Sequence, residues 1–390
     1  MHLFYTIRSC ARSAMYAIVF STLSISQGNS AFAGEFKSLY SFGDSYTDVS
    51  NLGPFGKPPY PSKYVALESF APPYFYPLSY SLYDALGLTD TTAYFGYGQS
   101  GATVQQMTDH GWLKQQVDAA LKKLDTNQFD PLDVVTINIG INDTDIRRNN
   151  YTTTTPADKP AKDGASTAVD AAVQVKRLID KGAKTIIFTT FGSVNFVSQY
   201  FEAKNMLLAN EFAGAYYAGL QNELPPLAES GARILLVDID AFYTQLKFDL
   251  PKGELKHYGP PVDSGFPRGA AQAWQLQYVL HDKLHPSTGG FKALAKYMAD
   301  FLEDPSKIEP SSTLMVNSES LKGDIFNNGK VIFYVAKDKE LPGIIRGLGS
   351  VRTVGPGKLS WRAMSVELTG NRHSVKPNFS KRKGDELHLQ

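Results

Sequence analysis

Cysteine is almost missing: Cys10 is the only one in 390 residues. Beyond it there is no disulfide, no thiolate nucleophile and no cysteine-ligated metal, so the body must be held by its core alone. Charge of one sign is missing too. The formal net charge is +1, which gives no global field to recruit nucleic acid or to steer the chain to a membrane. That sum conceals an asymmetry, with +2 over residues 1–33, −7 over 34–305 and +6 over 306–390. Long apolar runs are also absent. The longest, "AMYAIVFSTLSI", has about 12 residues, too few to span a bilayer core of ~30 Å.

What is present starts with that run. Arg8 and Arg12 precede it, and Ala31-Phe32-Ala33 follow it as a small-residue cleavage site. The three parts read as a secretory signal over residues 1–33, and hence as an exported, extracellular protein.

After the leader, "FKSLYSF" (36–42), "LDVVTINIG" (132–140), "TIIFTTF" (185–191) and "ARILLVDID" (232–240) are strand-like. Between and after them, residues 111–124, 166–184, 202–224 and about 288–303 have helical spacing. Strands alternating with helices predict an α/β fold, an open and mostly parallel sheet with helices on both faces. In such folds functional residues gather at the carboxyl ends of strands. Residues 54–80 are too broken by Pro and aromatics to predict regular elements. From about 306 the chain turns polar and Gly-rich, with short strands expected at "VIFYVAKD" and "KLSWRAMSVEL" and a solvated tail at the end. No internal repeat is evident. The expected division is a leader over 1–33, a main domain over 34–305 and a small polar C-terminal extension over 306–390.

Three strand ends carry groups that acyl transfer requires. "SFGDSYTDVSN" (41–51) displays Ser45 just past the first strand. A serine hydroxyl needs an adjacent base to become a nucleophile, and none is near it in sequence. "GIND" (140–143) sets the Asn142 amide where it can donate to a developing oxyanion, although Gly-x-Asn-Asp is also a common turn. "LHDKLHPSTGG" supplies Asp282 three residues before His285, a spacing at which the carboxylate can hold the ring N–H and fix the tautomer. A metal reading of His281 and His285 is opposed by Pro286, which biases His285 away from a helix. "GYGQSG" satisfies the dinucleotide pattern through Gly96, Gly98 and Gly101, but Asp118 and Asp125 fall in or just after a helical stretch, not at a strand end. A close backbone approach, with Gly101 offering its N–H to a reacting carbonyl, suits that loop better.

Taken in order, "FGDSYTDVSN", "GYGQSGAT", "GIND" and "DKLHP" resemble the four blocks of the GDSL-type serine esterases, the SGNH hydrolase superfamily. Tyr46 stands where leucine is commoner, Gly96 where the second block usually has Asn, and Ser100 for the first glycine of that block's pair. The resemblance implies a three-layer α/β/α flavodoxin-like sandwich acting without a cofactor. Ser45 would be the nucleophile, His285 the general base and Asp282 its orienter. The Ser45 N–H, the Gly101 N–H and the Asn142 side chain would form the oxyanion hole. Asp44, Asp48 and Asn51 are expected to brace the nucleophile loop locally. "GDSY-TD" and secretion are similar to fungal acetylesterases that deacetylate plant-wall oligosaccharides. This makes a small-molecule or oligosaccharide ester the expected substrate, with neither nucleic acid nor a membrane span involved. An extracellular lipase or phospholipase is the alternative, and a catalytically silent binding protein a third reading. Tyr60, Tyr64, Tyr74, Phe75 and Tyr76 would either line the cleft or pack on the body. Three glycosylation sequons begin at Asn142, Asn150 and Asn378; Asn142 is expected to stay bare in the cleft.

Overall fold

The computed structural model describes residues 36–49, 76–107, 109, 111–124, 128–152, 154–201, 203–250, 255–260, 276–363 and 387–388. The leader, Asn51, Tyr60, Tyr64, Tyr74, Phe75 and Asn378 lie outside them.

Five strands build the parallel part of the main sheet: β1 (Leu39–Gly43), β2 (Tyr94–Gly96), β3 (Val134–Asn138), β4 (Thr185–Thr190) and β5 (Arg233–Asp238). Their order is β2-β1-β3-β4-β5, with every pairing parallel. This is the doubly wound, flavodoxin-like order, with its switch point between β1 and β3. β1, β3 and β4 are buried along their whole length, as expected of strands covered on both faces. Alternate residues feed two cores: Val134, Ile187, Leu235 and Val237 face one, and Val135, Ile137, Ile186 and Phe188 the other.

The first core is covered by α1 (Leu78–Ala85), α6 (Ile239–Asp249) and α7 (Thr288–Glu303). The second is covered by α2 (Leu113–Lys123), α4 (Lys159–Asp180) and α5 (Ala203–Glu223). Thr167, Ala168, Ala171, Val175 and Leu178 form the buried stripe of α4, the i, i+4, i+8 pattern of an amphipathic helix. A further helix, α3 (Ile141–Asn150), begins at the end of β3. Sequence reading had only a turn there.

The C-terminal strands continue the sheet instead of standing beside it. β7 (Ser312–Asn317) pairs antiparallel with β5, and β9 (Lys330–Tyr334) and β11 (Ser350–Val354) follow in parallel. Alternating with them, β6 (Lys307–Ile308), β8 (Ile325–Asn327), β10 (Lys339–Arg346) and β12 (Leu359–Ala363) form a second, all-parallel sheet. The chain thus winds as a two-sheeted coil. Lys330 pairs with Ser350, Ile325 with Ile345 and Lys339 with Leu359, so one coil takes 20 residues. The expectation of no internal repeat is corrected by this register. Glycines recur one coil apart, and a Cβ on Gly343 or Gly349 would run into the carbonyl of Gly323 or Gly329 in the coil before. The solvated-tail expectation fails at one point, since β13 (Leu387–His388) pairs antiparallel with β11.

Candidate active site

The carboxyl end of β1, which leads to Ser45, is set by glycine. Gly43 has φ of 137°, and a Cβ there would lie 2.0 Å from the Asn138 carbonyl oxygen, so the chain leaves β1 by a route closed to other residues. One amide from α2 then fixes the exit. Gln116 Oε1 accepts from the Gly43 N–H at 2.7 Å, and Gln116 Nε2 donates to the Gly43 carbonyl at 2.8 Å. Gln116 is fully buried. Sequence reasoning missed it; the available signal was a glutamine on the apolar stripe of Leu113, Val117 and Ala120.

The turn that follows displays Ser45, half-buried, while Asp44, Tyr46 and Thr47 go into the interior. Asp44 Oδ1 accepts from the Tyr46 N–H at 3.1 Å, and the Asp44 carbonyl accepts from Thr47 and Asp48. Asp44 therefore braces locally, as expected. Asp48 also reaches beyond its own loop: its Oδ2 accepts from both the N–H and the hydroxyl of Ser100, at 2.8 and 2.7 Å. The second of these needs the serine hydroxyl, which a glycine at this position would lack.

His285 arrives from a loop whose turn is tied by one carboxylate. Asp282 Oδ1 accepts from the N–H groups of Leu284 (2.7 Å) and His285 (2.6 Å), and Oδ2 faces His285 Nδ1 at 2.9 Å. His285 Nε2 lies 3.0 Å from Ser45 Oγ. Burial would raise the Asp282 carboxyl, but the attraction of His285 and these hydrogen bonds outweigh it and hold the group well below the usual carboxylate range. Asp282 thus stays ionised beside the ring, and the donor role falls to Nδ1–H, leaving Nε2 to accept from the serine.

The other two predicted residues, Gly101 and Asn142, are linked through Ala102. Gly140, with φ of 129°, has space for a Cβ only 2.6 Å from the Tyr216 ring. It turns the chain so that Asn142 falls in the first turn of α3. Asn142 Nδ2 donates to the Ala102 carbonyl at 3.0 Å, which spends one of its two hydrogens and fixes the plane of the amide. Asp143, fully buried, accepts from the Val104 N–H at 3.1 and 2.9 Å. Burial raises its carboxyl, as it does that of Asp44, to about 7.

Ser45, His285 and Asp282 are therefore joined by direct bonds, and Gly101 is tied through Ser100 to the nucleophile turn and through Ala102 to Asn142. The dinucleotide alternative loses its helix: β2 does lead into "GYGQSG", but the next helix, α2, starts only at Leu113. No group of three or more potential metal ligands occurs among the described residues. Tyr76, the one described member of the aromatic set, packs on the body, stacked on Tyr80 with ring centroids 4.7 Å apart. A polar hollow of about 330 Å³ lined by Tyr217, Gln221, Asp238, Thr313 and Lys330 lies elsewhere. It contains no nucleophile–base pair and is not the candidate.

A serine bonded to a carboxylate-held histidine, with backbone and amide donors alongside, has the parts for acyl transfer. Comparison with known proteins agrees with that chemistry, because a family model, GDSL-like lipase/acylhydrolase, matches residues 39–298. The chain belongs to the GDSL-like lipase/acylhydrolase family. It is accordingly a carboxylic ester hydrolase, and the matched span holds all four sequence blocks. No curated protein matches the chain. A solved structure of an alpha/beta hydrolase enzyme from the metagenome of Lake Arreo, Spain, is 18% identical, covers 70% of this chain and 97% of that one, and superposes with a TM-score of 0.35. Among the described residues, no helix of this family member is long and apolar enough to cross a membrane.

Proposed function

We propose that this chain is a secreted serine esterase that releases acetyl or other short acyl groups from carbohydrate esters. Its mechanism runs through an acyl-enzyme. His285 Nε2 takes the Ser45 proton as Oγ attacks the ester carbonyl. The oxyanion that forms is held by the N–H groups of Ser45 and Gly101 and the second hydrogen of the Asn142 amide, donors of a kind typically worth ~10²–10³ each in rate. His285 then protonates the leaving alcohol, and water, activated by the same ring, hydrolyses the Ser45 ester. Asp282 orients the imidazole and stabilises its charge. The observation that carries this reading is the pair of bonds at His285, 3.0 Å to Ser45 Oγ and 2.9 Å to Asp282 Oδ2.

Short acyl groups and sugar alcohols are favoured by the likeness of "GDSY-TD" to fungal acetylesterases and by the lack of a long apolar lid helix in the sequence. Secretion rests on the leader at residues 1–33. Hydrolysis of p-nitrophenyl acetate, butyrate and octanoate by the wild type and Ser45→Ala tests the whole. Loss of turnover in the variant with a preference for acetate supports the proposal, and a preference for octanoate moves the substrate to lipids. Equal turnover by both proteins overturns Ser45 as nucleophile. No turnover by either leaves a silent binding protein as the better reading.

A further inference from the structure

Tyr46 follows Ser45 directly, and its position shows what its hydroxyl does. The side chain is fully buried. Its ring packs among aromatics, with centroids 5.3 Å from Phe291, 6.0 Å from Phe191 and 5.8 Å from the His285 imidazole. Phenylalanine would fill that space equally well. The hydroxyl, however, donates to the Leu284 carbonyl across 238 residues of chain. Two residues adjacent in sequence thus bond to two others adjacent in sequence: Ser45 to His285, and Tyr46 to Leu284.

We propose that Tyr46 is a positioning residue for His285, its hydroxyl fixing the distance between the turn that carries the nucleophile and the loop that carries the base. The inference rests on the reading of His285 as that base. Residues 281–285 form neither helix nor strand; the loop is closed at its base by the His281 N–H, which donates to the His285 carbonyl at 2.8 Å, and by the Leu280–Pro286 bridge. Asp282 ties the loop to itself through Leu284 N–H and His285 N–H, which fixes its shape but not its distance from Ser45. Tyr46 supplies a bond from the nucleophile's own turn. The donor is available throughout the working range, because burial keeps the phenol protonated far above its ordinary value.

The test is the kinetics of Tyr46→Phe and Tyr46→Leu beside His285→Ala and the double variant Tyr46→Phe/His285→Ala, with thermal melts of each. Loss of the oxygen alone is expected to lower kcat about 10- to 100-fold with KM within twofold, since small misplacement of a reacting group costs on that scale. In the His285→Ala background the same change is expected to have less than a twofold effect. Incorporation of 4-aminophenylalanine at position 46, which restores a donor, should recover most of kcat. Wild-type kcat in Tyr46→Phe overturns the inference. So does an equal loss with and without His285, or failure of both single Tyr46 variants to fold, because the hydroxyl would then serve stability alone. If His285→Ala itself keeps wild-type turnover, the reading of His285 as base has failed, a result distinct from failure of the Tyr46 inference.

Discussion

Asp48 and Ser100, 52 residues apart, are joined by two hydrogen bonds to one carboxylate oxygen, from the serine N–H at 2.8 Å and its hydroxyl at 2.7 Å. The peptide that follows Ser100 carries the Gly101 N–H, so the turn holding Ser45, the proposed nucleophile, also aims a proposed oxyanion donor. Ser100→Ala removes one bond and keeps the other, and about a twofold to tenfold fall in kcat is expected. Asp48→Ala removes both and should cost at least tenfold with little change in KM. Steady-state kinetics on p-nitrophenyl acetate separates these outcomes, and an unchanged kcat in Asp48→Ala would remove the link from the mechanism.

Asn142→Ala is expected to lower kcat by ~10²–10³ while the fold persists, since the bond it loses to the Ala102 carbonyl is only part of what holds α3. The same residue opens a glycosylation sequon. Its side chain is partly buried and bonded at 3.0 Å, whereas Asn150, at the end of α3, is exposed. Glycopeptide mass spectrometry of active enzyme made in a glycosylating host should therefore find Asn142 bare and Asn150 open to modification. Substantial occupancy at Asn142 would rule out its oxyanion role.

Gln116 holds both backbone groups of Gly43, a residue that no other type can replace without meeting the Asn138 carbonyl. Gln116→Leu keeps the bulk and takes the Gln116 partner from the buried Gly43 N–H, whereas the Gly43 carbonyl still accepts from the Gln99 N–H at 2.9 Å. A destabilisation of about 1–3 kcal/mol follows from one such group, and urea denaturation reads it directly. Activity should fall as well, because Ser45 lies two residues beyond the clamp.

Stability should decline as pH rises from about 4 to about 7. Asp44 and Asp143 are buried, and both carboxyls are pushed up to about 7 from an unfolded value near 3.8. Between those values the folded protein binds more protons than the unfolded chain, so each upward step in pH favours unfolding until both groups are ionised. Asp44 faces Asp143, which raises it further, and His285, which lowers it; Asp143 faces Arg147, which lowers it. Asp282 works in the opposite sense, its stabilisation being lost only in acid below its unfolded range. Thermal melts at pH 5 and pH 8 are expected to differ by about 5 °C, with a smaller difference in Asp143→Asn. A higher melting temperature at pH 8 than at pH 5 would contradict the burial argument.

The parallel strands were legible because burial on both faces leaves continuous apolar runs such as "VVTIN". The strand-end rule then pointed to Ser45 and Asn142; the His285 loop was read as a third strand end, but among the described residues only isolated bridges at Tyr278 and Leu280 precede it. Other features were hidden for physical reasons. α3 reads as "INDTDIRRNN", too polar for a periodicity signal; it depends on the turn at Gly140 and on the burial of Ile141, Asp143 and Thr144. β2 has three residues at a sheet edge, too few for a pattern. The Tyr46–Leu284 and Asp48–Ser100 bonds join distant segments, which local spacing cannot reveal. The coil was missed because its turns share little beyond glycine positions and apolar alternation. Its spacing also varies, with Thr313 and Lys330 paired only 17 residues apart.

That coil yields the last prediction. β7 covers the outer edge of β5, pairing Ile234 with Met315 and Val237 with Ser312. Leu314, Met315, Val316, Val331 and Phe333 are fully buried in the cores that β5 serves. Burial of one such side chain is worth about 1.5–3 kcal/mol, so five together match the whole net stability of an ordinary domain, roughly 5–15 kcal/mol. Asp238 N–H also donates to the Ser311 carbonyl at 2.8 Å, which links the coil to the residue whose carboxylate caps α6. Truncation after Pro305 would bare this surface and the edge of β5, an open template for aggregation. The truncated protein is expected to be insoluble, or to melt at least ~10 °C lower than the full chain, although it retains every residue proposed for chemistry. A truncated protein with unchanged melting temperature and turnover would show that the coil is an appendage the catalytic body can do without.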